Sequence, residues 1–87
     1  MKVEILYSKR FKKQFKRLPK KVIKKLIYIE NIFRYNPFSP ELKTHKLHGK
    51  LKNEYAFSVN YEYRVIFTFI DSNTVFFLEI GTHEIYK

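Results

Sequence analysis

The sequence predicts an α+β fold of order β-α-α-β-β-β, with an N-terminal helical hairpin packed on a curved antiparallel sheet. Three observations predict it. Apolar residues alternate with polar ones at the start of the chain and again from Tyr55 to Ile80. Between these stretches, apolar residues recur at spacings of three and four, surrounded by lysine. Turn-forming clusters separate the later strands. A chain of 87 residues fits one domain spanning 1–87, and at 45% hydrophobic residues it has the material for a core.

Residues 2–7 read as a strand in which Val3, Ile5 and Tyr7 share a face, although Leu6 breaks the alternation. Ser8 stands where a helix N-cap belongs. Phe11, Phe15 and Leu18 follow on one helical face, with Lys12, Lys13, Lys16 and Arg17 around them. Pro19 interrupts and suits the first turn of a second helix. That helix runs to about Tyr35, with Val22, Ile23, Leu26, Ile27, Ile29, Ile32 and Phe33 as its apolar stripe. Pro37 ends it by excluding the helical conformation from Asn36. Phe11, Phe15 and Phe33 are read as core.

Residues 37–53 form a connection long enough to suggest function. Tyr55, Phe57 and Val59 mark the next strand, and Asn60-Tyr61-Glu62 a turn. Tyr63 to Ile70 is apolar on both faces apart from Arg64 and Thr68, as in a central strand. Asp71-Ser72-Asn73 is a second turn. Thr74 to Ile80 is the last strand, closed by Gly81-Thr82-His83.

Charge is unevenly placed. Eleven of the 18 Lys and Arg lie in residues 1–25, beside a single acid, Glu4, whereas residues 26–87 carry seven basic and seven acidic side chains. The net charge of +10 therefore belongs to the helical hairpin. It serves either a polyanion or acidic partner, or only the solvation of a helix face. Lysines at the start of a helix oppose its macrodipole, a local cost of up to about 1 kcal/mol each. The absence of cysteine removes disulfide and thiolate chemistry and suits a reducing compartment. No leader-like apolar segment and no run of membrane-spanning length is visible, so the expected location is cytoplasmic, away from membranes.

Arg64 interrupts an apolar strand and must reach water, a carboxylate or a ligand anion. It either grips a phosphate through two parallel hydrogen bonds or forms an internal ion pair with Glu54, Glu62 or Glu79. His83 follows the last strand, whose end lies near the start of the preceding one in an antiparallel meander. It is therefore a candidate neighbour of Arg64 and a proton donor or acceptor, or else an exposed tail histidine. His45, Lys46, His48, Lys50 and Lys52 line either a backbone groove or a solvated loop. Tyr63 and Tyr86 are candidate base-stacking residues. Two histidines without clustered carboxylate or cysteine make a poor metal site, so no metal and no cofactor is expected.

The block His45-Lys46-Leu47-His48-Gly49-Lys50-Leu51, the strand Tyr63-Arg64-Val65-Ile66-Phe67 and the ending Ile80-Gly81-Thr82-His83 resemble, in order and spacing, the RelE/ParE toxin superfamily. The Gly-Thr-His ending is most similar to YafQ-like and RelE/StbE-like messenger-RNA interferases. The resemblance covers essentially the whole chain. It implies the RelE-like microbial RNase toxin fold. It also implies a type II toxin that cleaves messenger RNA, usually on the ribosome, by metal-independent attack of the RNA's own 2′-hydroxyl. Arg64 then matches the arginine that contacts the scissile phosphate, His83 a catalytic histidine and His45 an upstream histidine. Tyr86 lies close to a catalytic tyrosine, and Lys50 and Lys52 fall in a region of functional lysines. The implied partner is a cognate antitoxin that forms a hetero-oligomer with the toxin and masks the Arg64 groove. Ser58 and Glu62-Tyr63 depart from the YafQ-like pattern, which has a histidine and an Asp-Trp pair there. The ParE branch shares the fold but inhibits DNA gyrase without cutting RNA, and stands as the alternative.

Overall fold

The computed structural model describes residues 2–49 and 53–82. Strand β1 (Glu4–Tyr7) leads into helices α1 (Lys9–Phe15) and α2 (Lys20–Tyr35). A 3₁₀ turn at Pro40–Leu42 precedes β2 (His45–Lys46), β3 (Tyr55–Ser58), β4 (Arg64–Asp71) and β5 (Thr74–Gly81). The five strands form one sheet in the order β1-β5-β4-β3-β2.

Two features differ from the sequence expectation. The sheet is mixed rather than antiparallel, because β1 runs parallel to β5 with Ile5 opposite Val75 and Tyr7 opposite Phe77. Tight turns force β3, β4 and β5 to alternate in direction. No such turn constrains β1, and the helical hairpin carries the chain across the sheet, as a parallel partner requires. The 37–53 connection is also not plain loop. Leu42 is fully buried, and His45 and Lys46 add an edge strand opposite Ala56 and Tyr55.

Local chemistry fixes the helices. Ser8 caps α1, its Oγ accepting from Phe11 N–H at 2.9 Å and donating to the Leu78 carbonyl at 2.7 Å. Gln14 ties the far end of α1 to β5 by accepting from Ile80 N–H at 2.8 Å. Pro19 takes the N-cap position of α2 rather than its first turn, and its carbonyl accepts from Val22 and Ile23. Asn36 ends the helix and bonds Phe38 N–H through its side chain.

The core lies between the hairpin and one face of the sheet. Phe33 is wholly buried there, its ring 5.0 Å from Phe57, 5.0 Å from Phe67 and 5.2 Å from Phe77. Phe11 is buried beside them, while Phe15 and Leu18 pack at the margin. Ile27 departs from its expected core place. It is 57% exposed and lines an open groove of about 540 Å³ between α1 and α2, with Phe15 and Leu26. On the other face of the sheet, Leu47, Ala56 and Ile66 form a small second cluster against Leu78, where β5 shifts register with β4.

Phe33→Ala should cost about 3–5 kcal/mol, because the three rings around it cannot collapse into the space it leaves. Urea unfolding followed by circular dichroism measures it, and a loss under about 1 kcal/mol would deny Phe33 its central place.

Candidate functional site

The register across the second face determines which side chains can meet. Directly opposed residues in an antiparallel pair share a face. Ser58, Arg64 and Gly81 therefore form one row across β3, β4 and β5, and His45, Ala56 and Ile66 form the next row across β2, β3 and β4. His45 and Arg64 sit two strands and one row apart, roughly 12 Å between backbones at ordinary strand spacing. Ala56 and Ile66, buried in the His45 row, supply an apolar floor beside them.

Arg64 is half-buried at the start of β4. Its Nη1 donates to the carbonyls of Asn60 and Tyr61, both at 3.2 Å, and of Tyr63 at 3.5 Å. The Asn60 side chain closes the same turn, its Oδ1 accepting from Glu62 N–H at 2.9 Å and Tyr63 N–H at 2.8 Å. The guanidinium is thus held by the turn it stabilises. Of the acids considered as its partners, Glu79 bonds Arg10 at 3.2 Å. The Glu54 carboxyl is pushed up by burial and, secondarily, by the charge of Glu79.

The other candidates separate. His45 is exposed, with Nδ1 3.1 Å from the Lys43 carbonyl, which orients the ring. Lys46 is exposed but lies opposite Tyr55, a residue packed on the main core, and so belongs to the other side of the sheet from Arg64. His48 is exposed beyond β2. Tyr63 is half-buried against the main core, a packing role rather than an open stacking surface. Lys50, Lys52, His83 and Tyr86 lie outside the described residues. The described chain places Gly81 opposite Arg64, as the meander argument required, and His83 follows Gly81 by two positions in sequence.

Sequence reasoning missed two features. Asn60 was read as a turn residue, yet its capacity to accept bonds from residues two and three ahead is a recognisable signal for a locked turn. In the sequence Ser58 stands out only as a departure from the YafQ-like pattern. It enters only because strand register sets it opposite Arg64.

Among the described residues, no group of three or more His, Cys, Asp or Glu side chains gathers as a metal site, and no helix is long and apolar enough to cross a membrane.

No family model matches the chain, and no curated protein is similar to it in sequence. Solved structures are similar in fold. YafQ from E. coli strain BL21(DE3) superposes with a TM-score of 0.79 at 24% identity, covering 97% of both chains. YafQ in the E. coli DinJ-YafQ toxin-antitoxin complex gives 0.77 at 24% identity, covering 98% of this chain and 97% of the other. The archaeal RelE-RelB complex from Pyrococcus horikoshii OT3 gives 0.76 at 21% identity, covering 94% and 96%. The chain thus has the α+β fold of RelE-like toxins.

The raised Glu54 carboxyl sets a pH dependence. The folded state holds a proton that the unfolded chain releases near the ordinary carboxyl value of 4.5, so this group's contribution declines as pH rises through its folded pKa. Glu54→Gln should therefore stabilise the protein slightly at pH 7, with the gain fading in acid. Thermal melts across pH check this, and a destabilised variant at neutral pH would contradict it.

Proposed function

We propose that the chain is the toxin of a type II toxin–antitoxin pair and an endoribonuclease that cuts messenger RNA. The observation that carries this reading is Arg64 at the head of β4. It is braced by its turn and shares a sheet face with His45, in a fold matched over nearly its whole length by YafQ.

The chemistry needs no group beyond the chain and its substrate. A base takes the proton of the 2′-hydroxyl, the 2′-oxygen attacks the adjacent phosphorus, and the bond to the 5′-oxygen breaks as an acid protonates it. The products are a 2′,3′-cyclic phosphate and a 5′-hydroxyl. Arg64 neutralises the charge that builds on the phosphorane-like transition state. His83 and His45 supply the two proton transfers, an imidazole being able to accept a proton at one step and donate it at another. His48, Lys50 and Lys52 add attraction for the backbone. Ribosome-bound message in the cytoplasm is the proposed substrate. An antitoxin is the proposed partner, as in the DinJ-YafQ and RelE-RelB complexes of the similar structures.

The test is incubation of the purified chain with translating ribosomes, followed by mapping of message ends. Cleavage with cyclic phosphate termini and insensitivity to EDTA are expected. Arg64→Ala should lower the rate about 10²–10³-fold while circular dichroism shows a folded protein. Full activity in that folded variant would remove Arg64 from the mechanism. Intact messages together with inhibited supercoiling would move the protein to the gyrase-directed alternative.

A further inference from the structure

A second hollow adjoins the Arg64 row. It has a volume of about 480 Å³, within the usual range of about 300–1,000 Å³ for small-ligand sites, and runs along the outer margin of β3 between α2 and the 3₁₀ turn. Ser58, which the register sets opposite Arg64, lines it together with Ile29 and Val59 of the main core, so the hollow lies around the free margin of β3 from the Arg64 row. Lys25, Lys43, Glu41 and Tyr61 are among its other walls.

Three observations single it out. Tyr61 is 93% exposed at the tip of a turn, a position that folding alone fills with glycine, asparagine or serine. Its backbone is held by Arg64, and the flanking amides of Glu62 and Tyr63 by Asn60, so the backbone beneath the ring is set before any ligand arrives. Lys43 adopts a left-handed conformation with φ of 53°. A side chain costs roughly 1–2 kcal/mol there, where glycine sits without strain. Retaining a lysine at such a place points to a use for its ammonium group. Lys25 brings a second ammonium from the lysine-rich start of α2, held 5.4 Å over the Tyr28 ring, and the two cations outnumber Glu41.

We infer that this hollow is a nucleotide subsite for single-stranded RNA, in which Tyr61 stacks on a base and Lys25 and Lys43 hold the flanking phosphates. It rests on the nuclease reading above and extends it. The strand leaves Arg64, crosses Ser58 and continues toward the basic helical hairpin. Stacking on an aromatic ring accepts any base, so the subsite adds affinity and register without sequence preference.

The test compares binding of two non-cleavable 2′-deoxy-substituted oligonucleotides to the full chain by fluorescence anisotropy. One is a dinucleotide that spans only the cut site, the other a hexanucleotide. Tyr61→Ala should weaken the hexanucleotide about tenfold or more, spare the dinucleotide, and be rescued by Tyr61→Trp. Lys43→Gly should raise Tm while lowering the salt dependence of hexanucleotide binding by a slope of about 0.7. Hexanucleotide affinity unchanged in Tyr61→Ala would overturn the subsite, and accompanying loss of antitoxin binding would reassign the ring to a protein contact. Cleavage by the wild-type chain without Tyr61 dependence leaves the nuclease reading standing and removes only the subsite. Tyr61-dependent binding without cleavage does the reverse, and absence of any oligonucleotide binding removes both.

Discussion

The structure turns on one guanidinium bonded to the turn that precedes it. Arg64 stands at the head of a strand whose next residues, Val65, Ile66 and Phe67, are all buried. A cation there would be costly unless its hydrogens were used. Nη1 uses the carbonyls at positions 60, 61 and 63, the last of which also accepts from Val59 N–H at 2.9 Å. The same bonds set the backbone of Tyr61 and the start of the β3–β4 ladder, and so align Ser58 and Gly81 with the arginine. Stability and the candidate site share this one arrangement.

The remainder of the fold serves to keep that strand straight and half-covered. Phe33 reaches from α2 into the rings of Phe57, Phe67 and Phe77 and occupies one face of the sheet. The opposite face keeps only a small apolar floor at Leu47, Ala56 and Ile66. Among the described residues, the main core thus lies on one side of the sheet and the Arg64 row on the other. On the proposed reading, the basic hairpin adds to this through Lys25, which brings charge from the N-terminal segment to the margin of β3.

Much of this was legible in the chain. Ser8, Pro19 and Pro37 set the helix limits because capping and proline geometry are local effects. Alternation marked β3 to β5, and the Asp71-Ser72-Asn73 turn formed as read, with Asp71 accepting from Asn73 N–H at 2.8 Å. What escaped depends on strand pairing. The parallel placement of β1 on β5 is fixed by partners far along the sequence, and the two-residue β2 and the row joining Ser58 to Arg64 by a register that alternation alone does not give. Ile27 escaped for a related reason. Its helical spacing matched the core stripe, but it lines the open groove between α1 and α2. Among the site residues, Lys46 was read with the basic loop set and Tyr63 as a base-stacking candidate, whereas strand alternation and core packing turn them away from the Arg64 face.

The most direct measurement is nuclear magnetic resonance titration of the isotopically labelled chain with a non-cleavable RNA spanning one phosphodiester. The account predicts that the Arg64 guanidinium signal and the His83 and His45 imidazole signals shift together, along with the amides of Ser58 and Gly81. Shifts confined to α1 and α2, with those signals unmoved, would contradict it.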